Sequence, residues 1–316
     1  MTTIHAPGKL VLVGEYAVLD GGGAIVAAVD RGVRCVVTAG DTTGSTIRTP
    51  GDDRFVRAAL IGAPPATYTF SDWNPVDPAI FRSGGHKPGF GGSAAAVVAA
   101  VTAAGLPARR AYEAHTAVQG GGSGVDVFAS LLGGVRRFPD GAQVSCPPPL
   151  AIWSGQSAQT GPRVAQYRAW AGREAFVAGT RALVAAFGAD PVAVTREAYA
   201  LLRAMAHDAG IAYDTPAHAR IAALATAFGG AAKPSGAGGG DVAVAFIPDP
   251  EARARFAEAV AAEGLAPLPV SIAAGAHGVP PDGVPPDGVP PDGVPPDGVP
   301  RIGALAEALP PSLGVI

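Results

Sequence analysis

The chain has 316 residues, enough for two domains of ordinary size. Charged residues make up only 16%, against a usual share of roughly 25%, and alanine, glycine and proline take up the difference. A net charge of -3, with no basic block and no aromatic–basic interleaving, argues against nucleic-acid binding, which needs a cationic footprint. No cationic leader precedes a long apolar stretch, and no 18-residue uncharged run has the content of a membrane span, so we expect a soluble cytoplasmic protein, a monomer or homodimer, without membrane association. The two cysteines, Cys35 and Cys146, read as inert core thiols rather than a disulfide framework or thiolate metal site.

In chain order, Lys9–Val13, Ala24–Ala28 and Val33–Thr38 are apolar strand candidates, and 41–53 reads as a hairpin or loop. A glycine cluster over 84–92 opens onto SAAAVVAAVTAA, a strong helix former that Gly105 ends. A helix runs from near Pro107 to Val118, QGGGSG breaks it, and DVFASLL forms a short helix after the break. AIWSG reads as a strand. Helices are expected over 164–187, 192–208, 216–228 and 251–262, and strands over 241–247 and 268–272. Residues 278–300 repeat GVPPD. Recurring proline and glycine suit neither a helix nor a central strand, so this segment reads as a surface insertion.

Three glycine-rich segments carry the chemistry: PGKLVLVGEYAVLDGG from Pro7, KPGFGGSAAA from Lys87 and KPSGAGGGD from Lys233. The middle one opens directly on a helix, where free N–H groups and the helix dipole favour a phosphate. Ser93 at that helix start is either a phosphate or Mg²⁺ contact or an ordinary helix cap. Asp126 in GGGSGVDV is likewise either an acceptor of a hydroxyl proton or a capping carboxylate. The chain lacks GxxxxGK[ST] and the dinucleotide fingerprint, and its six histidines are scattered without HExxH.

Together these segments resemble the GHMP kinase superfamily: PGK with GEY at Pro7–Lys9 and Gly14–Tyr16, GFGGSAA where the family has GLGSSAA, and KPSGAGGGD where it has KxTGAGxGG. Within that family, Ala114, His115, Gln119, Gly120, GSGVDV and SGQSAQT (154–160) resemble the phosphomevalonate kinase branch. The resemblance implies a two-domain α/β (α+β) fold with a ribosomal-protein S5-like N-terminal domain over 1–160 and a ferredoxin-like C-terminal domain over 161–316, ATP and acceptor lying between them. It implies ATP and Mg²⁺ as cofactors and the phosphorylation of 5-phosphomevalonate to 5-diphosphomevalonate.

The same resemblance implies roles for residues. Asp126 and Lys9 would be catalytic. Gly89, Phe90, Gly91, Gly92, Ser93 and Ala94 would hold ATP, with Ser93 on the metal. The small-molecule substrate would be contacted by Lys9, Glu15, Tyr16, Ser123, Gly124, Ser157, Thr160, Ser235, Gly236, Ala237 and Gly238. A phosphorylated acceptor needs extra cations, for which His86, Lys87, Arg136, Arg137 and Arg163 are the candidates. The chain departs from the family in two places: Gly92 replaces a serine, and Gln156 replaces a lysine. In mevalonate kinases a glutamate precedes the aspartate loop as an Mg²⁺ ligand; His115 falls near that place here. A GHMP kinase acting on mevalonate or a sugar, a related decarboxylase, and a non-catalytic relative of the fold are the alternatives.

Overall fold

The computed structural model describes residues 1–40, 44–77, 80 and 88–279. His86, Lys87 and nearly all of the GVPPD repeat lie outside the described residues.

The first sheet contains β1 (Thr2–Val13), β2 (Ala24–Ala39), β3 (Thr46–Arg48), β4 (Ala66–Trp73) and β5 (Val135–Phe138). The order is β1-β2-β4-β3, with β5 paired to the start of β2 and a last short strand added outside β1. β1 and β2 are longer than the sequence suggests. The first strand was expected from Lys9, but a register shift between Ala6 and Gly8 lets β1 pass through Pro7 and Gly8 as one bulged strand. The second sheet, β7-β8-β6-β9, contains β6 (Leu150–Trp153), β7 (Ala231–Pro234), β8 (Val242–Phe246) and β9 (Ala266–Leu268), all antiparallel. β6 therefore belongs to the second sheet although it precedes the expected division at 160. The chain then returns: β10 (His277–Val279), which includes the first two residues of the repeat, pairs with Thr3–His5 of β1.

Helices α1 (Arg54–Ala59), α2 (Gly92–Ala103), α3 (Arg109–Gln119) and α4 (Val125–Leu132) accompany the first sheet; α5 (Thr160–Ala169), α6 (Arg173–Ala186), α7 (Pro191–Ala209), α8 (Pro216–Ala227) and α9 (Pro250–Ala262) fall in the second half. One helix was expected over 164–187, but there are two. Trp170 turns extended after α5, and a Cβ at Gly172 would strike its ring, so the break rests on glycine. The strand expected over 268–272 forms earlier, at Ala266–Leu268, and overlaps that range only at Leu268, with Ile272 bridging singly to Val29.

The alanine and valine content of α2 has a packing cause. Ala94, Ala95 and Val97–Val101 are all buried, against β1 and β2 on one side and against α1, α3 and α4 on the others, so the helix is apolar around most of its circumference, and small side chains let backbones approach. A second cluster joins the two sheets: Leu10, Leu12, Ile25 and Val29 from the first meet Trp153, Val242, Val244 and Phe246 from the second. β1 thus has one face on α2 and the other on the second sheet, and carries Lys9 where both meet. Cys35 is buried and Cys146 partly so, both free; burial pushes the Cys35 thiol up to about 12 and the Cys146 thiol to about 11, which keeps both protonated.

Candidate active site

Lys9 is almost fully buried at the middle of β1. Its backbone N–H donates to the Phe90 carbonyl at 2.8 Å, which ties the first glycine motif to the second. Phe90 itself is buried in the core between the sheets, so it anchors the loop that follows it. Gly91 adopts φ +75 and caps α2; a Cβ there would lie 3.2 Å from Lys9 Cγ and 3.6 Å from Asp126 Oδ2. Asp126 stands in the first turn of α4, after Gly124 at φ +75. Its Oδ1 lies 3.7 Å from Lys9 Nζ, with one third of its side chain exposed. Asp126 is thus in an ion pair and open to a ligand at once.

Gly92 and Ser93 begin α2 and are exposed, and a Cβ at Gly92 would meet nothing within 4 Å. Ser93 Oγ hydrogen-bonds His115 Nε2 at 3.2 Å. Burial lowers the His115 pKa, opposed by the Asp126 charge, and its ring packs on Phe55. Ala94 is buried beneath the loop. Among the described residues no three His, Cys, Asp or Glu side chains gather as a metal cage. The hard donors at hand are the Ser93 hydroxyl and the Asp126 carboxylate. These suit Mg²⁺, which keeps several waters and binds through few protein oxygens plus phosphates.

The third motif closes the other side. A Cβ at Gly236 would lie 3.9 Å from Lys9 Nζ. Behind it, Lys233 and Glu15 form a fully buried ion pair. Lys233 Nζ also donates to the Pro234 carbonyl at 3.1 Å, and burial lowers its pKa against the opposing pull of Glu15. Glu15 Oε2 has no partner among the described residues. Ser235 Oγ accepts from the Val11 N–H at 2.8 Å, and Tyr16, at φ +61, donates to the Ala237 carbonyl at 2.6 Å. Burial raises the Tyr16 pKa well above its ordinary value. Glu15, Tyr16 and Ser235, expected as substrate contacts, therefore commit these polar atoms to binding the first motif to the third. Gly238 is packed against Tyr213, and Gly239 against the Arg163 guanidinium.

Gln156, which replaces the lysine, donates to the Gly239 carbonyl at 2.9 Å and so braces the third loop. Ser157 and Thr160 are exposed, and Thr160 opens α5. Ser123 Oγ accepts weakly from Val125 N–H at 3.4 Å, ahead of Asp126. Of the described cations considered for an anionic acceptor, Arg136 is held by the Gly133 and Gly141 carbonyls, and Arg137 pairs with Asp140 at the surface. Arg163 alone of these lies against a glycine loop of the site. Three features were assigned no role from the sequence: the Lys233–Glu15 pair, the Ser93–His115 contact, and Asp241. Each depends on residues distant in the chain; only the position of Asp241 at the end of a glycine run hinted at it.

The arrangement gathers one cation, one partly open carboxylate and two glycine loops around an open helix N-terminus. That combination can hold phosphates, neutralise charge on a transferring group and orient an acceptor. Among the described residues no helix is long and apolar enough to cross a membrane.

Known proteins resemble this chain in sequence and in fold. The family model "GHMP kinases C terminal" matches residues 193–266. A phosphomevalonate kinase of Streptomyces sp. (strain CL190) is 30% identical, over 84% of this chain and 96% of that protein. Among solved structures, the Lin0012 protein of Listeria innocua has a TM-score of 0.78 at 21% identity, over 88% of this chain and 99% of that one. A Streptococcus pneumoniae phosphomevalonate kinase, solved in complex with phosphomevalonate and AMPPNP, has a TM-score of 0.70 at 18% identity, over 86% of this chain and 100% of that one. At these identities the structures speak to the two-domain α/β fold, and the Streptomyces relative to descent. The chain belongs to the GHMP kinase superfamily.

Proposed function

We propose that this protein transfers the terminal phosphoryl group of ATP to 5-phosphomevalonate, giving 5-diphosphomevalonate and ADP. The observation that carries this reading is the Lys9–Asp126 pair, 3.7 Å apart and flanked by the second and third glycine loops. The Streptomyces relative, a phosphomevalonate kinase, supports the acceptor.

In this reading the backbone N–H groups from Gly89 to Ser93 and the N-terminus of α2 hold the ATP phosphates. Ser93, with Asp126 nearby in function, would hold Mg²⁺, which supplies charge neutralisation on the phosphates when bound. An oxygen of the acceptor phosphate forms a bond to the γ-phosphorus, the bond from that phosphorus to the β,γ-bridging oxygen breaks, and ADP leaves. The attacking oxygen is largely ionised near neutral pH, so Asp126 serves mainly to align it. Lys9 stabilises charge on the transferring group. Ser123, Gly124, Ser157, Thr160, Gly236, Ala237 and Gly238 would border the acceptor. The antiparallel second sheet supports a ferredoxin-like C-terminal domain, and the first sheet with its helices an S5-like one. The enzyme would be a soluble cytoplasmic monomer or homodimer.

One observation favours a second reading. Gln156 carries no charge and is committed to the Gly239 carbonyl, so the acceptor segment lacks the lysine that the family resemblance implies. A GHMP kinase acting on mevalonate or a sugar would not need it. ATP consumption measured over 5-phosphomevalonate, mevalonate, homoserine and galactose separates the two. We expect turnover of 5-phosphomevalonate; turnover of mevalonate alone would overturn the acceptor assignment and leave the family.

A further inference from the structure

Asp241 ends the third glycine motif, and it is one of few non-glycine residues in a left-handed backbone, at φ +59. A glycine would adopt that conformation without strain, and the run before it is glycine throughout 238–240. Something other than chain reversal therefore calls for a carboxylate here. Its surroundings suggest what.

Three separated segments meet on this residue. Its backbone N–H donates to the Gln156 carbonyl at 2.7 Å, and its carbonyl accepts from the Ser154 N–H at 3.0 Å. Its side-chain Oδ1 accepts from the Ala158 N–H at 3.1 Å. The whole turn 154–158 is thus tied to one residue. On the other side, a Cβ at Gly89 would lie 2.7 Å from Asp241 Cγ and 2.8 Å from Oδ2, so the carboxylate packs directly on the second glycine loop. The glycine at 89 is what permits this approach. Burial raises the Asp241 pKa, while the Ala158 N–H and the charges of Lys9 and Arg163 hold it down, which places both cations within electrostatic reach.

We propose that Asp241 is a positioning residue that locks the 154–160 segment to the second glycine loop, so that the acceptor side and the nucleotide side of the site hold one fixed spacing. The functional part of this rests on the kinase reading above; the clamp itself does not. Strain in the backbone is kept because the carboxylate is needed at that point, and a glycine would relax the turn but lose the lock.

Asp241→Gly separates strain from function. It relieves the left-handed backbone, so Tm should be unchanged or higher. Hydrogen exchange over 154–160 should nevertheless quicken by about tenfold or more, since the Ala158 amide loses its acceptor. The KM for 5-phosphomevalonate should rise by about tenfold or more while the KM for ATP moves less than about threefold. Asp241→Asn, which keeps an acceptor oxygen, should recover part of both losses. Unchanged exchange over 154–160 in Asp241→Gly overturns the clamp, whatever the activity. Faster exchange with unchanged kinetic constants overturns its positioning role. Wild-type protein that turns over no 5-phosphomevalonate would instead overturn the acceptor assignment, and the exchange result would still decide the clamp.

Discussion

Gly92 and Gly239 both come from glycine-rich runs beside Lys9, yet a methyl group added at Gly92 would meet nothing within 4 Å, while one at Gly239 would fall on the Arg163 guanidinium. The same contrast runs along both loops. Past Phe90, the second loop faces the Lys9 side chain, Asp126 and open space. The third loop is pressed on Tyr213 at Gly238, on Arg163 at Gly239 and on the backbone of 156–158 at Gly240. Similar sequences therefore serve different physical ends. In the third loop glycine is required because protein already fills the space, whereas at Gly92 in the second loop the space beside the backbone is open.

The largest effects should come where the two loops meet. In the proposed reaction Lys9→Ala would leave the transferring group without its cation and Asp126→Asn would lose the alignment; each should lower kcat by about 10² to 10³-fold. Lys9→Ala should cost at least as much as Asp126→Asn if the acceptor oxygen is already ionised. With an alcohol acceptor the order should reverse, because a base is then needed. Steady-state kinetics of both variants on 5-phosphomevalonate and mevalonate reads the difference.

Acid should loosen the packed half of the molecule. His218, at the start of α8, is buried, and burial pushes its pKa down to about 4 against the opposing Asp214 charge. A histidine whose folded pKa lies below its unfolded value of 6.5 binds its proton in the unfolded chain first. Its contribution to stability is therefore whole above pH 6.5 and is lost as pH falls from there to about 4, amounting to about 3 kcal/mol. Denaturant unfolding at stepped pH should show that decline, and His218→Leu should flatten it.

The smallest effects draw the contrast most sharply. Gly238→Ala forces a side chain into φ +71 and to 2.5 Å from the Tyr213 carbonyl. It should cost about 1–3 kcal/mol of stability. Gly92→Ala, in open space at a helix start, should change stability by less than about 0.5 kcal/mol and yet weaken ATP binding. Equal stability losses in the two variants would remove the distinction between the loops.

The start of α2 was legible, because a glycine run opening onto an alanine-rich stretch is a local pattern. Lys9 and Asp126 were each singled out from the motif around them, and the fold sets them 3.7 Å apart. The unbroken passage of β1 through Pro7 and Gly8 was not legible, since a bulge supported by β2 is a tertiary event. Nor was the break between α5 and α6, where the Trp170 ring lies over Gly172. Glu15, Tyr16 and Ser235 were expected to touch the substrate because of their motifs, and the contacts they make within the protein were not legible. Their partners, Lys233, the Ala237 carbonyl and the Val11 N–H, lie more than two hundred positions away in the chain, and no local pattern reveals them.

The account turns on which oxygen receives the phosphoryl group. Phosphorus NMR of the wild-type protein with ATP, Mg²⁺ and 5-phosphomevalonate distinguishes the products, because a phosphorylated phosphate and a phosphorylated alcohol give different phosphorus resonances. We expect the monoester resonance to fall while two coupled diphosphate resonances and those of ADP grow in step. A monoester resonance that persists unchanged, in protein that converts mevalonate to a phosphomonoester under the same conditions, would contradict it.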